Sequence, residues 1–175
     1  DRIAKYAAGL IQDEDFVYID AGTTTGGMLK FLQETRAVFV TNAVAHAQLL
    51  AKRDFKVFLI GGELKGATEA VIGNQAMNTL RGYHFTKGFF GTNGITKKSG
   101  CTTPDANEAA VKAAAMEQCR ECYVLCDSSK FDNISSVTFA EFYRSTIITD
   151  KVPAGYEDCA NLIEVAREQT PGCLK

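Results

Sequence analysis

The spacing of hydrophobic residues changes repeatedly along this chain. Ile3, Ala7, Leu10 and Ile11 recur at helical spacing and predict an opening amphipathic helix that stops near Gln12-Asp13. Beyond it, short apolar runs alternate with segments of helical period. The runs predict strands over residues 16–19, 37–40, 55–60, 87–90, 121–126 and 146–149. Helical patterns fall on residues 27–34, 43–53, 74–81 and 105–120. Continuous runs such as Val57-Phe58-Leu59-Ile60 predict strands buried on both faces. Short strands alternating with helices predict an α/β fold, with a mainly parallel central sheet covered by helices on both faces. Residues 63–71 have no clear helical period and predict an extended excursion or a hairpin. The tail, residues 169–175, has little to pack and is expected to fray.

Small or polar clusters follow five of the predicted strands. Ile19 runs into Asp20-Ala21-Gly22-Thr23-Thr24-Thr25 and Val40 into Thr41-Asn42. Ile60 runs into Gly61-Gly62, Phe90 into Gly91-Thr92-Asn93-Gly94, and Cys126 into Asp127-Ser128-Ser129-Lys130. In an open parallel sheet these carboxyl ends lie along one edge, where ligands bind. The first cluster combines an acid, a glycine that permits close backbone approach, and three hydroxyls. Such a strand end attracts anions, phosphate above all. Thr and Gly also build ordinary solvated turns. Lys130 beside serine hydroxyls suits a phosphate, whose oxygens need several donors at once; a charged loop has the same composition.

The longest helical pattern opens with Thr103-Pro104-Asp105-Ala106-Asn107-Glu108. Asp105 suits an N-cap or first-turn position, and Glu108 and Lys112 form an i,i+4 pair in the favourable order. The pair reads either as a surface ion pair or as an acid and an ammonium aimed into the sheet-edge cleft. In the cleft, the acid would accept sugar hydroxyls and the ammonium would meet a phosphate.

The 175 residues suffice for one domain with a full core. A hydrophobic fraction of 46% and a charged fraction of 23% are those of an ordinary globular chain. The net charge of −2, with no run of Lys and Arg, argues against a DNA-gripping surface within these residues. No apolar run approaches the ~20 residues of a membrane helix, and the first residues lack the order of a signal peptide. A chain that begins at Asp1 and not Met is expected to be a piece of a longer protein, although a tag-cleaved or processed chain would begin the same way.

Cys119, Cys122 and Cys126 cluster, but no second close pair completes a metal set. Cys101, Cys159 and Cys173 are single, and His46 and His84 lie far from the cluster in sequence. Cysteine is therefore expected to pack as a small hydrophobe, in a reduced cytoplasmic protein with no metal. The two histidines are expected to be structural. The glycines after the first strand do not spell G-x-G-x-x-G, so no dinucleotide cofactor is expected.

Taken in order, the five strand-end clusters, Gly61-Gly62-Glu63-Leu64, Gly100-Cys101-Thr102-Thr103-Pro104 and Glu108-Ala109-Ala110-Val111-Lys112 resemble the effector-sensing domain of DeoR-family bacterial transcription regulators. The match runs from about residue 3 to residue 165. The resemblance implies the fold of ribose-5-phosphate isomerase and the CoA transferases, and a repressor of carbohydrate operons that senses phosphorylated sugars. It implies a winged helix-turn-helix, absent from these residues, as the means of contacting operator DNA. It also implies a homo-oligomer. Residues 1–168 are then the sensor domain and residues 169–175 a tail.

The phosphate end is assigned to Thr23, Thr24, Thr25 and Lys130, and hydroxyl recognition to Asp20, Asn42, Asn93 and Glu108. Lys112 serves either the phosphate or Glu108. Gly22, Thr41, Gly61, Gly62, Gly94, Asp127 and Ser128 complete the expected ligand-binding set. The competing reading is a sugar-phosphate isomerase, with residues 23–25 as substrate loop, Lys130 as phosphate contact and Glu108 near the catalytic glutamate. Against it, no acid occurs between Glu69 and Pro104, where the isomerase carries an aspartate-rich turn. No catalytic residue is therefore assigned.

Overall fold

The computed structural model describes residues 1–165. Its elements run α1 (Arg2–Gly9), β1 (Phe16–Ile19), α2 (Thr23–Leu29), β2 (Val38–Thr41), α3 (Val44–Lys52) and β3 (Lys56–Leu59). Then follow β4 (Glu63–Lys65), β5 (Ala70–Ile72), α4 (Asn74–Arg81), β6 (Phe85–Gly91), β7 (Gly94–Thr96), β8 (Gly100–Thr103) and α5 (Ala106–Glu117). The chain continues through β9 (Cys119–Leu125), β10 (Val137–Ala140), β11 (Thr146–Thr149) and β12 (Leu162–Glu164).

Seven strands form a parallel sheet in the order β12-β11-β9-β6-β1-β2-β3. Alternation along each strand feeds two cores. Val17 and Ile19 point to one face, where Ala4, Ala7, Met28, Leu29 and Leu50 of α1, α2 and α3 cover them. Tyr18 points to the other, beneath Leu80 of α4 and Val111 and Ala115 of α5. The expected two-sided parallel sheet is present. Among the described residues, no helix is long and apolar enough to cross a membrane.

Two small antiparallel sheets stand outside this layer. Residues 63–72 form a hairpin of β4 and β5, one of the two conformations expected there. A three-stranded sheet, β10-β8-β7, was not legible in the sequence, because its short strands GIT, GCTT and VTFA lack a sustained alternation.

Some expected boundaries move. α2 begins at Thr23, four residues before the expected start at residue 27, so the threonines open the helix instead of preceding it. The expectation that Val57-Phe58-Leu59-Ile60 is buried on both faces is wrong for most of the run. Among the described residues β3 is an edge strand paired only with β2, and Phe58 and Leu59 are each 46% exposed. Cys119, Cys122, Cys126, Cys101 and Cys159 are buried free thiols, packed as expected. The tail 169–175 and Cys173 lie outside the described residues.

At the amino end of the sheet, Asp15 and Lys87 form a buried ion pair of 2.7 Å. Burial pushes the Asp15 carboxyl up, but the Lys87 ammonium, the Gln12 N–H and the Thr86 hydroxyl together hold it below its ordinary value. The pair clamps β1 to β6 at the end opposite the strand-end clusters.

Candidate functional site

The carboxyl ends of β1, β2 and β6, the N-terminus of α5 and the β4–β5 hairpin surround a cavity of about 750 Å³. Its floor is charged yet internally neutral. Asp20, just past β1, pairs with the Lys112 ammonium of α5, and both side chains are more than nine-tenths buried. The Gly91 N–H donates to the Asp20 carboxylate at 3.2 Å, and Lys112 donates to the Gly91 carbonyl at 3.0 Å. The same ammonium lies 5.2 Å from the Phe139 ring centroid. Of the two readings of Glu108 and Lys112, the surface ion pair does not form, and both residues line the cavity instead. Lys112 turns into the sheet edge because Asp20 there would otherwise be a buried charge without a partner.

Several clustered polar residues shape the backbone. Thr25 is fully buried and donates to the carbonyls of Asp20 at 2.7 Å and Gly22 at 3.1 Å, closing the turn that opens α2. Thr41 donates to the Ile19 carbonyl at 2.6 Å. Asn42 accepts from the Ala21 N–H at 3.1 Å and donates to the Val71 carbonyl at 3.1 Å, joining the first cluster to the hairpin. Asn93 accepts from the Thr103 hydroxyl at 3.1 Å. Asp127 accepts from the Ser129 N–H at 2.9 Å and caps the short turn Ser128–Lys130.

Of the expected ligand residues, Asp20, Gly22, Thr23, Thr24, Asn42, Asn93, Glu108, Lys112 and Lys130 line the cavity. Thr25, Thr41, Gly61, Gly62, Gly94, Asp127 and Ser128 are not part of its lining. Lys130 is half-buried, and among the described residues no carboxylate lies within 4 Å of its ammonium. Asp105 takes the N-cap of α5, one of the two positions expected for it, accepting from the Glu108 N–H at 2.9 Å.

Sequence reasoning missed Lys65, Thr68 and His46 as lining residues. Lys65 of β4 reaches Asp105 at 3.1 Å and Glu108 at 3.5 Å, and Thr68 donates to Glu108 at 2.8 Å. Hydrogen bonding to Asp105 raises the Lys65 pKa. The Glu108 N–H and then Lys65 lower that of Asp105. His46 sits in the first turn of α3 and is more than nine-tenths buried, with Nδ1 unpartnered. Burial lowers its pKa from the ordinary histidine value, against the opposing pull of Asp20 and the Gly22 backbone. A Cβ on Gly26 would lie 2.7 Å from His46 Nε2, which explains a glycine inside so short a helix. The signal for His46 was its place one turn beyond Thr41-Asn42, on the same sheet edge.

Residues 1–151 match the family described as the DeoR C terminal sensor domain. An HTH-type transcriptional regulator named FruR, from Bacillus subtilis (strain 168), is 43% identical over 149 residues, covering 85% of this chain and 59% of that protein. A lactose phosphotransferase system repressor from Staphylococcus epidermidis is 32% identical over 152 residues, covering 85% of this chain and 60% of the repressor. The chain therefore spans about three fifths of the length of these curated relatives. Ribose 5-phosphate isomerase A from Methanocaldococcus jannaschii superposes with a TM-score of 0.55 at 14% identity, over 74% of this chain and 52% of the isomerase. That likeness is one of fold.

The floor of the cavity makes a stability prediction. Asp20→Asn or Lys112→Met alone leaves one buried charge uncompensated and should cost about 3–5 kcal/mol. The double variant should lose clearly less than the sum of the two, because it buries no lone charge. Urea unfolding of the three variants measures this; additive losses would show that the two groups do not depend on each other.

Proposed function

Because the chain belongs to the DeoR C-terminal sensor-domain family, we propose that residues 1–168 are the effector-binding and oligomerising domain of a cytoplasmic repressor of carbohydrate metabolism. The effector is a phosphorylated sugar or sugar alcohol. Operator DNA is contacted by a winged helix-turn-helix elsewhere in the whole protein, consistent with a net charge of −2 here.

One observation carries the ligand class. Lys130 shares the cavity with the hydroxyls of Thr23 and Thr24, while Lys112 is neutralised by Asp20. A phosphoryl group suits this wall, since its oxygens accept from an ammonium and two hydroxyls together. Thr25 supports that wall from behind and is not a ligand contact in this reading. Asn93 and Glu108 remain for sugar hydroxyls. Asp20 and Lys112 serve as a floor that keeps the backbone of β1 and β6 in place.

The domain is non-catalytic in this reading. Moving a proton between adjacent carbons needs a positioned base and a group that stabilises the enediolate. The acids lining the cavity are Asp20 and Glu108. The first is bound to Lys112, and the second accepts from Thr68 with Lys65 close by.

The oligomer is proposed to form through the outer edge of β3, where a second copy would continue the sheet. Edge strands are ordinarily blunted by charge, proline or a bulge. β3 carries Lys56 as its one charge and exposes Phe58 and Leu59 on opposite faces.

Three measurements test these statements. A cognate phosphosugar at ~100 times its dissociation constant should contribute roughly 2.7 kcal/mol, a shift of about 5–10 °C in Tm for a domain of this size. Its unphosphorylated parent should do little. Lys130→Met should suppress the shift and leave the ligand-free Tm nearly unchanged, and Thr24→Val should weaken binding. If both variants bind as tightly as the parent protein, the phosphate site lies elsewhere.

NMR of ribose 5-phosphate in heavy water with the protein should show no exchange at the carbon next to the carbonyl. Exchange that disappears in Glu108→Gln would reveal an enzyme. Sedimentation equilibrium should find the parent protein self-associated and Leu59→Lys shifted toward monomer. A parent protein that is monomeric at all concentrations would remove the β3 interface.

A further inference from the structure

The two strands of the β4–β5 hairpin are held very differently. β5 is buried and anchored. The Val71 N–H donates to the Asn42 carbonyl at 2.7 Å, the Asn42 side chain donates back to Val71, and the Val44 N–H donates to the Glu69 carbonyl at 3.1 Å. β4 is the outer strand. Glu63 and Leu64 are exposed, as are residues 66–69 at the tip. Lys65 of this outer strand and Thr68 of the tip reach across to the start of α5 and line the cavity between.

We propose that the β4–β5 hairpin is a strap over the effector pocket, fixed through β5, and that Lys65 latches its outer arm onto Asp105 and Glu108. The assignment of an effector to the pocket rests on the reading above; the strap itself rests on these contacts. Their chemistry suits a closure that opens. The latch side chains stay partly exposed, so their attraction is weakened by water and screened by salt. A strap held by apolar packing would have neither property.

Glu108 links closure to recognition. Both contacts from the strap fall on Oε1, and Oε2 makes no hydrogen bond among the described residues. One oxygen therefore holds the strap while the other remains for a sugar hydroxyl. A ligand that orders Glu108 favours the closed strap, and a closed strap slows its escape. By linkage each stabilises the other. Lys65 is thus a positioning residue that sets how long an effector stays.

Hydrogen exchange of the whole ligand-free chain tests the latch without any ligand. The strand-paired amides of β4, residues 63–65, should exchange several-fold faster in Lys65→Met and in Thr68→Val than in the parent protein. High salt should reproduce the effect in the parent protein and add little to Lys65→Met. Protection of α5 and the central sheet should stay the same. The proposal is overturned by unchanged exchange in both variants, by a β4 already unprotected in the parent protein, or by an equal rise throughout α5.

A second arm uses the phosphosugar with the largest thermal shift, which should dissociate several-fold faster from Lys65→Met with little change in association rate. Equal dissociation rates would also sink the strap. If no phosphosugar binds, the effector reading fails by itself and the exchange result still decides the latch.

Discussion

The ion pair between Asp20 and Lys112 is the constraint on which the rest of this site depends. Two charges withdrawn from water are tolerable only when they meet each other and when further hydrogen bonds satisfy their remaining atoms. Gly91 supplies those bonds from both its N–H and its carbonyl. The arrangement fixes three elements together: the end of β1, the end of β6 and the second turn of α5. Once α5 is placed, its first turn, with Asp105 and Glu108, must lie at the cavity mouth. Phe139, beside the Lys112 ammonium, brings the antiparallel sheet against the same helix.

Around this floor, polar residues divide by what they bind. Thr25, Thr41 and Asn42 are buried and bonded to backbone, so they give the strand ends their shape. Thr23, Thr24 and Lys130 face the cavity without being drawn into that framework. The likeness to ribose 5-phosphate isomerase follows from the framework, because a parallel sheet with helices on both faces gathers strand ends along one edge in any such protein. Chemistry is decided by the side chains on that edge; here Asp20 is bound to Lys112, and one oxygen of Glu108 is met by Thr68 and Lys65. A shared fold therefore does not by itself fix a shared role.

The central sheet was legible along the chain because the information is local. Val17, Tyr18 and Ile19 alternate between two cores, and both cores are apolar, so the strand is an unbroken hydrophobic run. Helical spacing in residues 74–81 likewise marked α4, with its boundaries correct to the residue. The strand-end clusters could be placed on one edge by the parallel rule alone, and nine residues of the expected ligand set do line the cavity.

Pairing and exposure were another matter. Whether Phe58 is buried depends on β3 being last in the sheet, a property of strand order that the run Val57-Phe58-Leu59-Ile60 does not carry. Lys112 had a plausible partner four residues away in Glu108, yet it pairs with Asp20, 92 residues distant, because only the folded sheet edge buries that carboxylate. Glu108 in turn is met by Lys65 and Thr68, from a hairpin whose path across the cavity has no periodic signature. The sequence by itself determined the α/β order, the two-faced core and the edge on which the cavity opens, since each follows from short-range hydrophobic period. Only the tertiary structure decided which charges meet, which hydroxyls face the cavity and which strand stays uncovered, since burial and distance belong to the assembled chain.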